Sequence, residues 1–338
     1  MIPAIAVADV LRRAGAAVTF IGGERAESEL VPAAGYPLLG ISVEGLSRSN
    51  PLRAARGLGR AARATFRARS LLAELGPDAL MGGGGYVAGP VGVAALARRT
   101  PLVLTEADSH LGLTNRMLAP FARRVCLSFP IEGREGSRYR VTGRPIPTTA
   151  VDRTSARERF GIAQQEQCVL VFGGSLGARK INHAALEAFS SGTFHVLHVC
   201  GRRDHPELAK QPLQAHYDLR EYLDVEDFAA ALAASDLVVA RAGGSVFEIA
   251  AHGVPAILVP YPHASADHQR TNALWMAQAG AAIVLDDAQL TPERLAREVA
   301  QLLANPTRLA AMASASRSLA RPEAASEIAQ ELLRAATG

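Results

Sequence analysis

Two runs of this chain carry residue types that chemistry can use: Ala240-Arg-Ala-Gly-Gly-Ser-Val-Phe-Glu-Ile-Ala-Ala-His-Gly-Val-Pro255 and Pro262-His-Ala-Ser-Ala-Asp-His-Gln-Arg-Thr-Asn-Ala273. The apolar stretch Leu237 to Ala240 reads as a buried strand, closed by Gly243-Gly244 and followed by a short helix from Ser245 to His252-Gly253. A second apolar run, Ala256 to Pro260, comes at once. Such a strand–glycine loop–helix–strand unit places backbone N–H groups and a helix N-terminus at one end of a parallel sheet, where a phosphate can dock. The chemistry implied is nucleotide handling. Spacing alone leaves Glu248 open, because Ser245-x-x-Glu248 also fits a capping box.

Three further motifs bear on chemistry. Val171-Phe-Gly-Gly-Ser-Leu-Gly-Ala-Arg-Lys-Ile-Asn182 is a strand, a glycine loop and a helix start. Gly173, Gly174 and Gly177 let the backbone approach an anion, and Ser175 adds a hydroxyl donor; plain βα-turn packing fits equally well. No G-K-[ST] follows, which disfavours ATP hydrolysis. Met81-Gly-Gly-Gly-Gly-Tyr-Val-Ala-Gly-Pro90 is a second glycine loop after a short strand. In Thr105-Glu-Ala-Asp-Ser-His-Leu-Gly-Leu-Thr-Asn115, Glu106, Asp108 and His110 form an acid–base cluster. His263, Asp267 and His268 lack regular ligand spacing, so no metal is expected.

Arg53, Arg56, Arg60, Arg63 and Arg67 recur at three- and four-residue steps on one helical face, in a segment from Gly45 to Ala73 that also holds Arg48 and Arg69 and has no acidic residue. Leu52, Leu58, Phe66, Leu71 and Leu72 supply apolar surface nearby. A one-sign stripe of this kind suits anionic lipid headgroups, each basic side chain contributing about 1 kcal/mol near the surface. Aromatic residues for base stacking are scarce, at 5%, which disfavours nucleic acid.

These motifs must be held by an α/β scaffold. At 338 residues the chain exceeds the usual single-domain size, so two domains are expected. Strand candidates at Ala17–Ile21, Leu102–Thr105, Val125–Leu127, Cys168–Phe172, Phe194–Val199, Leu237–Ala240 and Ala256–Val259 alternate with helical stretches, which implies right-handed βαβ units and parallel sheets. The Pro- and Gly-punctuated stretch Val141 to Ala150, before a helix start at Thr154-Ser155, sets the boundary: residues 1–147 and 148–322, with a final helix over 323–338 returning to the first half. Cys126, Cys168 and Cys200 each sit in an apolar run and read as buried core thiols. No apolar run reaches the ~20 residues of a membrane span, and Asp9 with Arg12-Arg13 breaks any signal-peptide pattern, so a soluble cytoplasmic protein is expected.

Taken in chain order, these motifs resemble the MurG family, which adds N-acetylglucosamine to lipid I in peptidoglycan synthesis. The resemblance runs from about Pro3 to Asp286 and includes four separate motifs. It implies a GT-B fold, two Rossmann-like doubly wound domains facing a cleft. It also implies an inverting transfer from UDP-N-acetylglucosamine to the C4 hydroxyl of lipid I, giving lipid II, without a cofactor. By the same resemblance Glu248 holds the ribose hydroxyls. Gly174, Ser175 and Gly177 line the donor diphosphate, Arg241, Gly244 and Ser245 also belong to the donor site, and His268 and Gln269 face the sugar. Gly84, Gly85, Tyr86 and Asn115 belong to the acceptor side, and the enzyme works at the cytoplasmic face of the membrane, as a peripheral protein beside other wall-synthesis or division proteins.

The chain departs from the family pattern in two places. Thr105, Ala107 and Asp108 replace the family's His, Gln and Asn around Glu106, which makes Glu106 and Asp108 the candidate catalytic groups. The family's first strand and Gly-Gly-x-Gly-Gly-His loop would stand just before Ile2, so the sequence is expected to lack its true beginning or to be catalytically impaired. Related alternatives are a GT-B glycolipid synthase, a UDP-sugar epimerase, or an inactive donor-binding partner protein.

Overall fold

The computed structural model describes residues 1–24, 27–41, 51–147, 151–174, 177–264 and 267–338, with backbone only for 51–58. It divides into two compact units, Met1–Pro147 with Arg321–Gly338, and Thr148–Ala320.

In the first unit, α1 (Ile2–Arg13) precedes β1 (Phe20–Gly22), α2 (Glu27–Ala33) and β2 (Leu38–Gly40), and the two strands pair in parallel. Then follow α3 (Pro51–Leu75), β3 (Leu80–Gly82), α4 (Gly85–Ala97), β4 (Leu102–Glu106), α5 (Leu113–Leu118), β5 (Arg124–Leu127) and β6 (Tyr139–Val141). The last four strands form a second parallel sheet in the order β3-β4-β5-β6. Parallel strands covered on both faces need near-continuous apolar runs, and Leu102 to Leu104 and Val125 to Leu127 supply them, all buried. Helix α3 lays Ala64, Ala68, Leu71 and Leu72 on Val91, Ala94 and Ala95 of α4. Leu71 and Leu72 are therefore core, not the surface expected for them. At Gly92 the missing side chain makes room for Leu118 of α5, which a Cβ there would overlap.

The second unit runs α6 (Arg153–Arg159), β7 (Cys168–Phe172), α7 (Arg179–Ala188), β8 (His195–Val199), α8 (His205–Leu208), β9 (Tyr217–Arg220), α9 (Val225–Ala234) and β10 (Leu237–Ala240). It continues through α10 (Val246–His252), β11 (Ala256–Leu258), α11 (His268–Gln278), β12 (Ala282–Val284), α12 (Pro292–Leu303) and α13 (Pro306–Ser318). All six strands pair in parallel in the order β12-β11-β10-β7-β8-β9. The chain starts in the middle of this sheet, winds outward to β9, crosses back to β10 and winds out the other way. Every residue of β7, β8 and β10 is buried. Helix α6 starts earlier than its sequence pattern implied, because Asp152 is the cap and accepts from the Ser155 amide at 3.0 Å. Gly253, at φ 64°, ends α10 in the left-handed conformation that suits glycine.

The final helix α14 (Ala324–Thr337) belongs to the first unit, with Ile328 and Leu332 packed on Val7 and Val103. Buried Glu331 accepts from Arg124 at 2.8 Å, Arg140 at 2.9 Å and Arg334 at 2.7 Å. Burial alone would raise its pKa, but hydrogen bonds and charge from Arg124 and Arg140 outweigh that and hold it below the ordinary glutamate value. All three cysteines are free and buried, and burial pushes Cys126 and Cys168 up to about 12 and Cys200 to about 11.

Candidate active site

In a doubly wound sheet, ligands bind beyond the carboxyl ends of the strands where the winding reverses. Here that point lies between β7 and β10, and both glycine loops of the second unit leave from it: residues 173–178 after β7 and 241–245 after β10. The described ends of the first loop lie close together, with the Gly177 amide donating to the Gly174 carbonyl at 2.9 Å. A Cβ on Gly173 would run into the Ala178 backbone, and one on Gly177, at φ 81°, into the Cys200 carbonyl. Gly174, also at positive φ, borders open space. Ser175 lies outside the described residues.

After β10, Gly243, Gly244, Ser245 and Glu248 are all half-buried, with Glu248 in the first turn of α10. Ser245 occupies the N-cap position, but its side chain makes no cap hydrogen bond, so the hydroxyl half of a capping box is not formed. The backbone carbonyl of Glu248 bonds His252 Nδ1 at 2.9 Å. Arg241 turns inward: its Nη1 donates to the carbonyls of Val259 and Pro260 and to Asp287 Oδ1 at 2.6 Å. The guanidinium thus holds the end of β11 in place. Asp287 also pairs with Lys180 on α7. Burial would raise the Asp287 pKa, and the Arg241 and Lys180 contacts reverse this to a net lowering. Gln269 Oε1 accepts from the Tyr261 amide at 3.0 Å, tying α11 to the end of the β11 segment, and Asp267 takes up a left-handed φ of 54° just before half-buried His268.

In the first unit the loop after β3 and the loop after β4 meet. Gly84 and Gly85 both have positive φ, and a Cβ on Gly84 would lie 3.5 Å from Asn115 Nδ2. Thr114 Oγ1 donates to the Gly85 carbonyl at 3.0 Å, and Tyr86 stands exposed at the start of α4. Glu106 is buried and accepts from the Asp108 amide at 3.2 Å, the Gly112 amide at 2.9 Å and Asn115 Nδ2 at 2.9 Å. Three donors on one carboxylate fold the 106–112 loop around Glu106. Asp108 is half-buried, and among the described residues its carboxylate has no hydrogen-bond or ion-pair partner. Asn115 Oδ1 is buried without a partner among the described residues. Arg144 lines one small cavity of about 40 Å³ together with Thr105 and Glu106.

Arg60, Arg63 and Arg67 are exposed on α3, as is Phe66, 71% accessible; the side chains of Arg53 and Arg56, and all of Arg48, lie outside the described residues. Met117 and Phe121, at 65% and 67%, are also exposed in this unit. No group of three or more His, Cys, Asp or Glu that could hold a metal occurs among the described residues, and none of their helices is long and apolar enough to cross a membrane.

Comparison with known proteins places this geometry. The glycosyltransferase family 28 N-terminal domain model matches residues 1–127 and the corresponding C-terminal domain model residues 168–331. A relative from Moorella thermoacetica, named UDP-N-acetylglucosamine--N-acetylmuramyl-(pentapeptide) pyrophosphoryl-undecaprenol N-acetylglucosamine transferase, is 39% identical over 98% of this chain and 95% of its own. The chain belongs to the MurG family of glycosyltransferase family 28. A relative of the same name from Halorhodospira halophila is 40% identical over 97% of this chain and 92% of its own. The crystal structure of Acinetobacter baumannii MurG superposes with a TM-score of 0.79 at 30% identity, covering 98% of this chain and 95% of that one. A UDP-GlcNAc 2-epimerase from Neisseria meningitidis shares the fold at a TM-score of 0.66 and 14% identity.

Two groups at the strand ends of this MurG-family chain escaped sequence reasoning. One is Asp204, which binds Arg203 through both carboxylate oxygens and Arg179 through one. The other is Asp287 between Arg241 and Lys180. Their only sequence signal was a charged residue just past an apolar run, which is too common to single out.

Proposed function

We propose that this chain transfers N-acetylglucosamine from UDP-N-acetylglucosamine to the C4 hydroxyl of lipid I, an inverting reaction that forms lipid II. The observation that carries the reading is the pairing of two glycine loops at the winding reversal of the second unit, with Glu248 one turn into the helix after the second. Glu248 takes the ribose hydroxyls, a pairing of one carboxylate with two hydroxyl donors. The amides of Gly174 and Gly177, with Ser175, Gly244 and Ser245, receive the diphosphate and stabilise its charge as UDP leaves. Arg241 acts from behind by fixing the β11 end, and His268 and Gln269 face the sugar.

In the first unit, Gly84, Gly85, Tyr86 and Asn115 hold the acceptor. Asp108 removes the proton of the attacking hydroxyl, while Glu106 shapes the loop that presents Asp108. The exposed arginines of α3, with Phe66, rest on the anionic cytoplasmic face of the membrane, where a lipid-linked acceptor resides. The test is transfer of radiolabelled N-acetylglucosamine from UDP-N-acetylglucosamine to lipid I in detergent. Labelled lipid II is the expected product. Release of UDP or epimerised sugar without labelled lipid would overturn the assignment.

A further inference from the structure

Beneath the β7 loop lies a buried chain of polar side chains that the reaction does not touch. His198, on β8, is completely buried, with Nδ1 2.7 Å from the Tyr217 hydroxyl and Nε2 3.1 Å from Asn182 Oδ1. Asn182, also completely buried, donates through Nδ2 to the Cys200 carbonyl and to Asp204 Oδ2, both at 2.8 Å. Two acceptors on Nδ2 fix the amide so that Oδ1 faces His198. Nε2 must then carry the ring proton, and Nδ1 must accept from Tyr217. Burial pushes His198 down to about 3, so the ring stays neutral, and it pushes the Tyr217 phenol up, so the hydroxyl stays a donor. Every proton in this chain points one way, from Tyr217 through His198 and Asn182 to Asp204.

The far end of the chain meets the glycine loop. The Cys200 carbonyl held by Asn182 is the group that the bare Gly177 backbone abuts, and Asp204 holds Arg179 at the start of α7. We infer that His198 is a positioning residue for the donor diphosphate, holding Asn182 where its amide pins the Cys200 carbonyl beside Gly177 at the end of the glycine loop. The inference rests on the donor assignment above. Without an Nε2–H opposite it, Asn182 Oδ1 is left buried with no donor, and the side chain loses the contact that holds it against the Cys200 carbonyl and Asp204. Glutamine at this position can still donate toward Asn182, whereas leucine cannot.

The experiment is calorimetric UDP binding to the full chain, well below each variant's unfolding midpoint, with donor and acceptor KM measured in parallel. In His198→Leu the UDP Kd and the donor KM should rise about tenfold, the weight of one well-made contact, with acceptor KM unchanged. His198→Gln should restore most of the affinity. Tyr217→Phe should lower the midpoint yet spare UDP binding, since it leaves the Nε2 proton in place. Should His198→Leu not fold, Asn182→Ala removes the same clamp and should show the same split. A folded His198→Leu or Asn182→Ala that binds UDP as the native protein does reduces this chain to core packing. Native protein that fails to bind UDP would instead sink the donor assignment.

Discussion

The glycine loop after β7 is buttressed from beneath, whereas the loop after β3 borders more open space. At Gly173 and Gly177 a side chain would collide with backbone, and buried Asn182 pins the carbonyl beside Gly177. At Gly83, Gly84 and Gly85 nothing comes closer than 3.5 Å to where a Cβ would be, and the main support nearby is Glu106 with its three donors. A loop whose described ends are held against packed backbone has less freedom to lose when a ligand arrives. That suits a small, fixed anion such as a nucleotide diphosphate. A loop with room around it tolerates a bulkier, more variable partner, as a lipid-linked acceptor would be.

The largest effect should come from the looser side. Asp108→Asn removes the proposed base and should cut the transfer rate by roughly 10²–10⁴, the usual contribution of a positioned general base. UDP affinity and thermal midpoint should stay near native, and a rate within a few-fold of native would return Asp108 to a loop role. Gly177→Ala against Gly84→Ala tests the loops themselves. The first adds a side chain at φ 81° against the Cys200 carbonyl and should cost roughly 2–5 kcal/mol of strain and overpacking together, with UDP binding lost. The second, at φ 76° with ordinary clearance, should cost only about 1–3 kcal/mol and leave UDP binding intact. Equal losses of UDP affinity would erase the contrast.

The units should also part under acid. Glu331 has its folded pKa depressed, so its stabilisation is complete above the unfolded value of about 4.3 and is lost as pH falls through the folded value. Amide protection in α14, after correction for the intrinsic pH dependence of exchange, should therefore fall on acidification, while Glu331→Gln, already missing a charged hub worth roughly 1.5–3 kcal/mol, should show a flatter pH response. The sole tryptophan, Trp275, packs on Phe247 in the second unit and reports that unit independently. Identical α14 pH profiles for native and Glu331→Gln protein would remove Glu331 from the account of acid lability. The smallest effect concerns the membrane. Arg60, Arg63 and Arg67 changed to Gln should lower cosedimentation with anionic liposomes, and native binding should weaken with salt as the Debye length shrinks below ~10 Å. Equal binding to neutral and anionic vesicles would contradict an electrostatic tether.

The second unit was largely legible in sequence because its buried parallel strands are unbroken apolar runs: Cys168–Phe172 and Leu237–Ala240 were read with their final bounds. Strands β2, β6 and β12 were missed because three residues are too few to show a pattern, and Gly40 and Arg140 break two of them further. Strand β9, with Asp218 and Arg220, looks like a polar turn because it lies at a sheet edge. The positions of Glu248 and the glycine loops could be read from motif order. Which of Glu106 and Asp108 is engaged by loop donors could not, since that depends on where the Gly112 amide and the Asn115 side chain fold back. The inward turn of Arg241 was likewise illegible, because its acceptors, Val259, Pro260 and Asp287, come within reach only through tertiary packing.

Titration of UDP into native protein and Glu248→Ala is the most direct test of a donor site built at the winding reversal of the second unit. Loss of one charge-assisted contact of roughly 1.5–3 kcal/mol should weaken UDP about tenfold or more, with circular dichroism and thermal midpoint unchanged. A folded Glu248→Ala protein with native UDP affinity would contradict the assignment and leave Glu248 as a helix-start residue only.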